Sequence, residues 1–244
     1  MLFLNKLQIS DFENWYKAAA EEGAALLIDK QQDWTSFDVV AKVRNLLKIK
    51  KVGHAGTLDP LATGLLIVCC GKATKKIDGF RDMHKTYSGI IKLGAETKTD
   101  DAEADEENIK EVNLTESEVL AASQKFTGTI LQTPPMYSAR KFEGKRLYKL
   151  ARKNIEVKIE PSPVEIFSFE ILKFESPFIT FNIKCEKGTY IRSIARDIGA
   201  ELGTGGYLYK LRRDAIGEYN VKDAISVDEL KSVITDSKLL NNQE

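Results

Sequence analysis

The sequence predicts an α+β fold, with a mixed, mostly antiparallel central sheet and flanking helices, and three observations carry that prediction. Apolar runs of strand length sit close together, as at residues 164–174 and 178–185, and read as hairpin-joined strands. Segments with helical spacing of apolar residues stand apart from one another rather than alternating with strands, which argues against regular strand-helix-strand winding. No internal repeat or low-complexity tract is present.

Taken in order, the first 22 residues predict a short helix, with Asp11 as cap, residues 12–22 as body and Gly23 as its end. Its Phe12, Trp15 and Tyr16 form an apolar stripe expected to pack on the main body, so residues 1–23 are read as a helical extension. Residues 24–28 read as a strand. Thr35 or Ser36 then caps a helix in which Val39, Val43, Leu46 and Leu47 recur at helical spacing. Its opposite face carries Lys42 and Lys48 and leads into Lys50 and Lys51, a cationic surface suited either to solvent or to phosphate. Leu65-Leu66-Ile67-Val68-Cys69-Cys70 is an apolar strand, and residues 85–93 form another with Tyr87, Gly89, Ile91 and Leu93 on one side.

Farther along, Thr115 with Glu118 makes a capping box before Val119, Leu120 and Phe126. Residues 132–153 open on Pro134-Pro135, are rich in bases and aromatics, and lack period-two alternation, so they read as an inserted arm. Pro161 and Pro163 precede the two strands at 164–174 and 178–185, and the second points Ile179, Phe181, Ile183 and Cys185 inward. After the turn Glu186-Lys187-Gly188, Thr189 caps a helix whose apolar face is Ile191, Ile194, Ala195, Ile198 and Leu202 and which Gly203 ends. Arg192 lies in its first turn, off that stripe. Ser226 with Glu229 makes a last capping box; residues 24–236 read as one domain, and 237–244 as a frayed tail.

A composition of 43% hydrophobic and 30% charged residues over 244 positions is that of an ordinary globular protein with room for a sizeable core. No apolar run approaches the ~20 residues needed to cross a bilayer, and the amino terminus lacks the basic-then-apolar order of a secretion signal, so a cytoplasmic location is expected. Cys69, Cys70 and Cys185 have neither disulfide-framework nor zinc spacing and read as core residues. Basic and acidic residues balance at 36 each, yet they are separated along the chain. Six acids, Asp100, Asp101, Glu103, Asp105, Glu106 and Glu107, form a run that reads as a solvated loop, whereas residues 140–158 hold eight bases against Glu143 and Glu156. Zero net charge therefore leaves room for a surface that meets phosphate.

The most informative stretch is Gly53-His54-Ala55-Gly56-Thr57-Leu58-Asp59-Pro60-Leu61-Ala62-Thr63-Gly64. Its three glycines open backbone angles closed to other residues, and Pro60 biases Asp59 toward an extended conformation, so one carboxylate is displayed on a rigid turn. Alone, an Asp-Pro turn is only a turn. A phosphate-cradling loop with magnesium at the acidic run is the competing chemistry, but Gly53-x-x-Gly56 lacks the following Gly-Lys-Ser or Gly-Lys-Thr, and no metal site is expected.

This stretch resembles, almost residue for residue, the catalytic signature of the TruB family of tRNA pseudouridine synthases, G-H-x-G-T-L-D-P-x-A-x-G. Other segments follow in the family's order: Lys85-Thr86-Tyr87, then Met136-Tyr137-Ser138-Ala139 with Lys141 and Gly144-Lys145, then Lys187-Gly188-Thr189-Tyr190-Ile191-Arg192, then Gly206 through Leu211-Arg212-Arg213. Together they span roughly residues 24 to 232.

The resemblance implies a pseudouridine synthase fold with an RNA-binding arm, and conversion of the T-loop uridine of tRNA, position 55, to pseudouridine without a cofactor. It implies Asp59 as the essential carboxylate, either nucleophile or stabiliser of charge at the sugar, with Arg192 as its guanidinium partner and Tyr87 stacked on the target base. His54 would fill the gap left by the everted uridine, exchanging one aromatic plane for another. Leu211 would wall the base pocket, with Arg212 and Arg213 facing phosphate. Lys30 matches a lysine of the opening motif, although Asp29-Lys30-Gln31-Gln32-Asp33-Trp34 stands where Asp-Lys-Pro-x-Gly is expected. Arg140, Lys141, Lys145, Arg146, Lys149, Arg152 and Lys153 of the arm would clamp the RNA backbone. The expected partner is the T arm of tRNA, bound by a monomer with no obligate protein partner, no membrane association and no carboxy-terminal RNA-binding domain of PUA type. The alternative is a tRNA-binding or tRNA-folding module that uses the same cleft without turnover.

Overall fold

The computed structural model describes residues 1–153, 155 and 157–237, so the tail beyond Ser237 lies outside the described residues. The chain divides into two compact units, Met1–Thr86 with Arg212–Glu244, and Tyr87–Leu211. Strands Lys85–Leu93 and Gly206–Ile216 contribute residues to both. The sheet is mixed and mostly antiparallel, with helices flanking it.

In the first unit, Thr63–Cys70 is the organising strand. It runs antiparallel to Ala24–Lys30, from Ala24 opposite Cys70 to Lys30 opposite Gly64, and antiparallel to the short strand Val52–His54. Its first residues pair in parallel with Arg212 and Arg213. From Leu65 to Cys70 the strand is apolar because both its faces are covered. Leu66, Val68 and Cys70 enter one core cluster, with Val39, Val43 and Leu47 of helix Ser36–Leu47 and Leu230 of helix Val227–Asp236. Leu65, Ile67 and Cys69 enter another, with Ala73 and Phe80. Truncating Leu65, Leu66, Ile67 or Leu230 to alanine costs on the order of 2–5 kcal/mol where it opens a cavity.

The amino-terminal segment is more than the expected helix. Phe3–Leu4 pairs in parallel with Ala25 and Leu26 and adds an edge strand, a two-residue element too short for alternation to reveal. Helix Phe12–Glu21 follows; Trp15 and Phe12 are buried, the Trp15 indole donates to the Ala25 carbonyl at 3.0 Å, and Tyr16 donates to the Leu47 carbonyl at 3.1 Å.

In the second unit, strands Ser162–Glu175 and Phe178–Cys185 form a hairpin, and Gly128–Gln132 pairs antiparallel with Ser162–Glu175. Ile179, Phe181, Ile183 and Cys185 are buried together with Ile91, Leu93 and the apolar face of helix Ile191–Glu201. Val119 of the Thr115-capped helix Glu116–Gln124 and Phe126 just beyond its end join them, but Leu120 points to solvent. Gly89 permits the close packing here: a side-chain carbon at that position would lie 2.6 Å from the Phe181 ring. Among the described residues, no helix is long and apolar enough to cross a membrane.

Candidate functional site

The Asp59 turn joins strands Val52–His54 and Thr63–Cys70 within the first unit, and its backbone is pinned from several directions. Ala62 N–H donates to the Asp59 carbonyl at 3.1 Å, closing the Asp-Pro turn, and Ala55 N–H reaches the Ile67 carbonyl at 2.9 Å. The buried Ser36 hydroxyl accepts from Leu58 N–H at 2.9 Å and faces the Leu58 carbonyl at 3.2 Å, locking the residue before Asp59 to the first turn of a capped helix. Asp33 N–H donates to the Pro60 carbonyl at 2.9 Å from a left-handed conformation (φ 65°). The aspartate therefore makes the turn in which the family pattern places glycine, and the departure from that pattern leaves the loop contact in place.

Two cations expected to face RNA belong instead to this scaffold. Lys30 is fully buried, and its ammonium donates to the carbonyls of Gln31 (2.9 Å), Trp34 (2.6 Å) and Pro60 (3.3 Å). Arg213 is equally buried; its Nε donates to the Leu65 carbonyl at 2.8 Å and its fork reaches the Gly56 and Thr57 carbonyls at 3.1 and 3.4 Å. Both correct the sequence expectation for the same reason: a buried cation survives by satisfying carbonyls, and a loop rich in non-helical backbone supplies them. Gly64 (φ 106°) is required at this junction, since a side-chain carbon there would lie 2.4 Å from the Arg213 carbonyl oxygen. Gly53, by contrast, is not in the left-handed region; it makes room for Ile77, 2.9 Å from where a side-chain carbon would sit. Arg212 remains part-exposed and grips Asp29 with two hydrogen bonds of 3.1 and 2.7 Å.

His54 is half-buried on this loop and meets Phe37 edge-on, with ring centroids 5.8 Å apart and planes at 80°. Burial lowers its pKa below 6.5, the charges of Arg81 and Arg213 push the same way, and the Gly56 backbone partly opposes them. The result favours a neutral imidazole, suited to stacking.

In the second unit, Arg192 sits in the first turn of helix Ile191–Glu201 and is buried rather than lying on the helix surface. Its fork donates to the Thr99 and Tyr137 carbonyls, each at 3.0 Å, and its Nε faces Asp101 Oδ2 at 3.5 Å. Asp101 Oδ1 accepts from the Thr99 hydroxyl at 2.5 Å and from Glu103 N–H at 3.1 Å. Arg196, one helical turn on, binds Asp100 at 3.0 Å and the Thr133 carbonyl at 3.0 Å. Burial raises the pKa of Asp100, and Arg196 and Arg192 oppose that shift. Glu106 binds Lys92 and the Tyr207 hydroxyl. The acidic run is thus partly structural, with Asp100, Asp101 and Glu106 engaged with cations and hydroxyls. Among the described residues no group of His, Cys, Asp and Glu is placed to hold a metal ion.

Thr189, expected to cap this helix, donates instead to the Glu186 carbonyl. Gln132 does the anchoring: its side chain accepts from Tyr190 N–H at 2.8 Å and donates to the Tyr190 carbonyl at 3.1 Å. Ser193 donates to the Thr133 carbonyl at 2.9 Å, so the root of the arm is fastened to the turn that carries Arg192. Beyond the root, Lys141–Phe142 and Lys145–Arg146 form a hairpin across Glu143 (φ 48°) and Gly144 (φ 79°), both left-handed as a type I′ turn requires. Lys141, Lys145, Arg146 and Lys149 are exposed, whereas Arg140 is half-buried and donates to the Ser162 hydroxyl at 3.1 Å. Tyr87 and Leu211 are half-buried against this unit's core. The first unit therefore carries Asp59, His54, Lys30 and Arg212, and the second Tyr87, Arg192, Leu211 and the arm. The sequence context of Asp101 and Gln132 does not mark them as supports of the site, and that of Ser36 offers only a helix-cap position.

Two family models match the chain: TruB family pseudouridylate synthase (N terminal domain) over residues 44–191, and tRNA pseudouridylate synthase B C-terminal domain over 192–243. The chain is 48% identical over 222 residues to a tRNA pseudouridine synthase B of Chlorobaculum tepidum, covering 88% of this chain and 92% of that protein. It is 44% identical over 207 residues to a protein of that name from Clostridium kluyveri, covering 85% and 72%. Among solved structures, a Cbf5-Nop10-Gar1 complex matches with TM-score 0.68 at 25% identity, over 90% of this chain and 61% of that one. An archaeal box H/ACA sRNP Nop10-Cbf5 complex matches in fold with TM-score 0.66 at 24% identity, and this chain spans 55% of that chain's length.

Proposed function

This chain belongs to the TruB family of pseudouridylate synthases, and we propose that the uridine it isomerises lies in the T loop of tRNA, at the position that becomes the pseudouridine of TΨC. The reaction breaks the ribose C1′–N1 bond, turns the freed uracil, joins C5 to C1′ and moves the C5 proton to a ring nitrogen, so product and substrate are isomers and no cofactor is consumed. In this reading Asp59 supplies the negative charge at C1′, as nucleophile or as electrostatic partner of the sugar. Arg192 supplies a permanent positive charge, Tyr87 an aromatic face, and neutral His54 a plane that takes the place of the everted base. Lys141, Lys145, Arg146 and Lys149 grip phosphate on the T arm. The enzyme works in the cytoplasm as a monomer.

The observation that carries the reading is the pinned Asp59 turn. Ser36, Asp33, Lys30 and Arg213 all hold backbone of this one loop, as a group that must sit within a fraction of an ångström of a reacting carbon requires. The test is incubation of an unmodified tRNA transcript with the enzyme, with and without chelator, followed by site-resolved pseudouridine detection. Product at the T-loop uridine under both conditions is expected, with none from Asp59→Asn, which still binds the tRNA. Product from Asp59→Asn removes the mechanism, and tRNA binding by the wild-type chain without turnover selects the non-catalytic alternative.

A further inference from the structure

Phe37 is an aromatic side chain that belongs to none of the core clusters of this fold. Its neighbours in helix Ser36–Leu47 behave as the amphipathic pattern dictates, with Val39, Val40 and Val43 buried, whereas Phe37 is 72% exposed. Single exposed apolar residues are ordinary, and exposure alone carries nothing. Three further observations distinguish this one.

First, Phe37 is held rigidly where it stands. Ser36 before it is hydrogen-bonded both ways to Leu58, and Asp38 after it closes the capping box with Thr35, accepting from Thr35 N–H at 2.8 Å and from its hydroxyl at 2.6 Å. A ring on so fixed a backbone gives up little conformational freedom on binding. Second, the ring sits edge-on to His54, 5.8 Å between centroids at 80°. Two nearly perpendicular planes cannot both lie flat against one base; if the imidazole faces one nucleotide, the phenyl face is turned to another. Third, the two rings share a scaffold with Asp59, through the Ser36–Leu58 lock, so what contacts one is close in register to the reacting position.

We propose that Phe37 is a stacking platform for a nucleobase of the substrate RNA, one adjoining the place filled by His54. This rests on the tRNA reading above and extends it by a second aromatic plane. Base stacking on an aromatic side chain tolerates any base, so the contact adds affinity and positioning without sequence specificity.

The experiment compares Phe37→Ala, Phe37→Leu and Phe37→Trp with wild type, using an unmodified T-arm stem-loop RNA and full-length tRNA transcript. Because the ring is exposed, all three variants are expected to keep the wild-type thermal midpoint. Phe37→Ala is expected to weaken RNA binding roughly 5- to 150-fold, the range that loss of one stacked base corresponds to. Phe37→Leu loses most of the same affinity despite its apolar bulk, and Phe37→Trp retains it, with indole fluorescence quenched on RNA binding relative to the wild-type background. Unchanged affinity and rate in Phe37→Ala, or an unquenched indole in Phe37→Trp, overturns the proposal. If the wild-type chain neither binds nor modifies tRNA, the underlying reading fails and this inference with it; if wild type turns over and Phe37→Ala matches it, only this inference fails.

Discussion

The guanidinium of Arg192 and the carboxylate of Asp101 form a buried ion pair, Nε to Oδ2 at 3.5 Å, with side chains 7% and 2% exposed. Asp101 is itself oriented by Thr99 and Glu103 N–H, while the Arg192 fork is aimed by the Thr99 and Tyr137 carbonyls. The arginine is held by backbone and acid together, so removing the acid leaves a buried cation with part of its support gone. Asp101→Ala is expected to cost about 3–5 kcal/mol of stability, the usual penalty for orphaning one member of a buried pair. Asp101→Asn, which keeps the shape, should fold better but still lose single-turnover rate while tRNA affinity changes little. Urea denaturation and rapid-quench kinetics check the two parts. A wild-type rate in Asp101→Asn would show that Arg192 does not need this partner.

Arg213 offers a contrasting test, since its chemistry looks like that of a phosphate contact and its burial says otherwise. Arg213→Met strands carbonyls of Gly56, Thr57 and Leu65. Of these, Leu65 is fully buried while Gly56 is half-buried and Thr57 exposed, so the Leu65 carbonyl carries most of the loss, about 1–3 kcal/mol for an unsatisfied buried acceptor, and the variant should be destabilised. Its salt dependence of tRNA binding, measured on whatever fraction is folded, should match wild type. A slope of log Kd against log salt reduced by about one would mean that Arg213 touches phosphate after all.

What was legible in the sequence divides along a physical line. The signature turn, the apolar strand after it and the capping boxes at Thr115 and Ser226 are local devices, readable because the residues that satisfy one another are a few positions apart; the Thr35–Asp38 box is equally local, but the sequence reading leaves that cap open between Thr35 and Ser36. Local sequence offers Thr189 as the cap of the Arg192 helix, whereas the group that anchors Tyr190 comes from Gln132, 58 residues away. Lys30 and Arg213 are expected at the RNA from the family pattern, and Asp100 and Asp101 in a solvated loop from their run of like charge; Lys30, Arg213 and Asp101 are buried and Asp100 half-buried, each against partners that only the tertiary fold supplies. Glu143-Gly144 carried a hairpin signal within the arm, masked by flanking strands only two residues long.

The arm separates into a fastened root and an exposed tip, and the two should respond differently. Replacing Lys141, Lys145, Arg146 and Lys149 by alanine removes charges that face solvent in the free protein. Binding to the T arm is expected to weaken, with the salt slope reduced by roughly 0.7–0.9 for each side chain that meets phosphate. Turnover at saturating tRNA should hold, because the tip is not part of the hydrogen-bonded root. Gln132→Ala should do the reverse, lowering the saturated rate by loosening the turn that carries Arg192 while leaving the salt slope alone. Equal effects of tip and root variants on both quantities would remove this distinction.

Acid stability should follow the capping boxes. Hydrogen bonds from the cap residues hold the carboxyl pKa of Asp38 below 3.8 and those of Glu118 and Glu229 below 4.5. With the folded value below the unfolded one, the unfolded chain binds more protons in the window between them. The contribution of each box is therefore complete above its unfolded pKa and lost as pH falls through the folded one. Asp100 and Asp197 act in the opposite sense: burial raises both above 3.8, so their contribution is present below 3.8 and lost as pH rises through the folded values. In urea titrations from about pH 7 down to about pH 3, the stability gap between wild type and Glu229→Gln should be widest at neutral pH and narrow below about pH 4, as protonation removes from the wild type the carboxylate that the variant already lacks. A gap that stays constant over the whole range would mean that the Glu229 charge contributes nothing to the Ser226 cap, leaving the helix Val227–Asp236 to be held by Leu230 and its neighbours in the core alone.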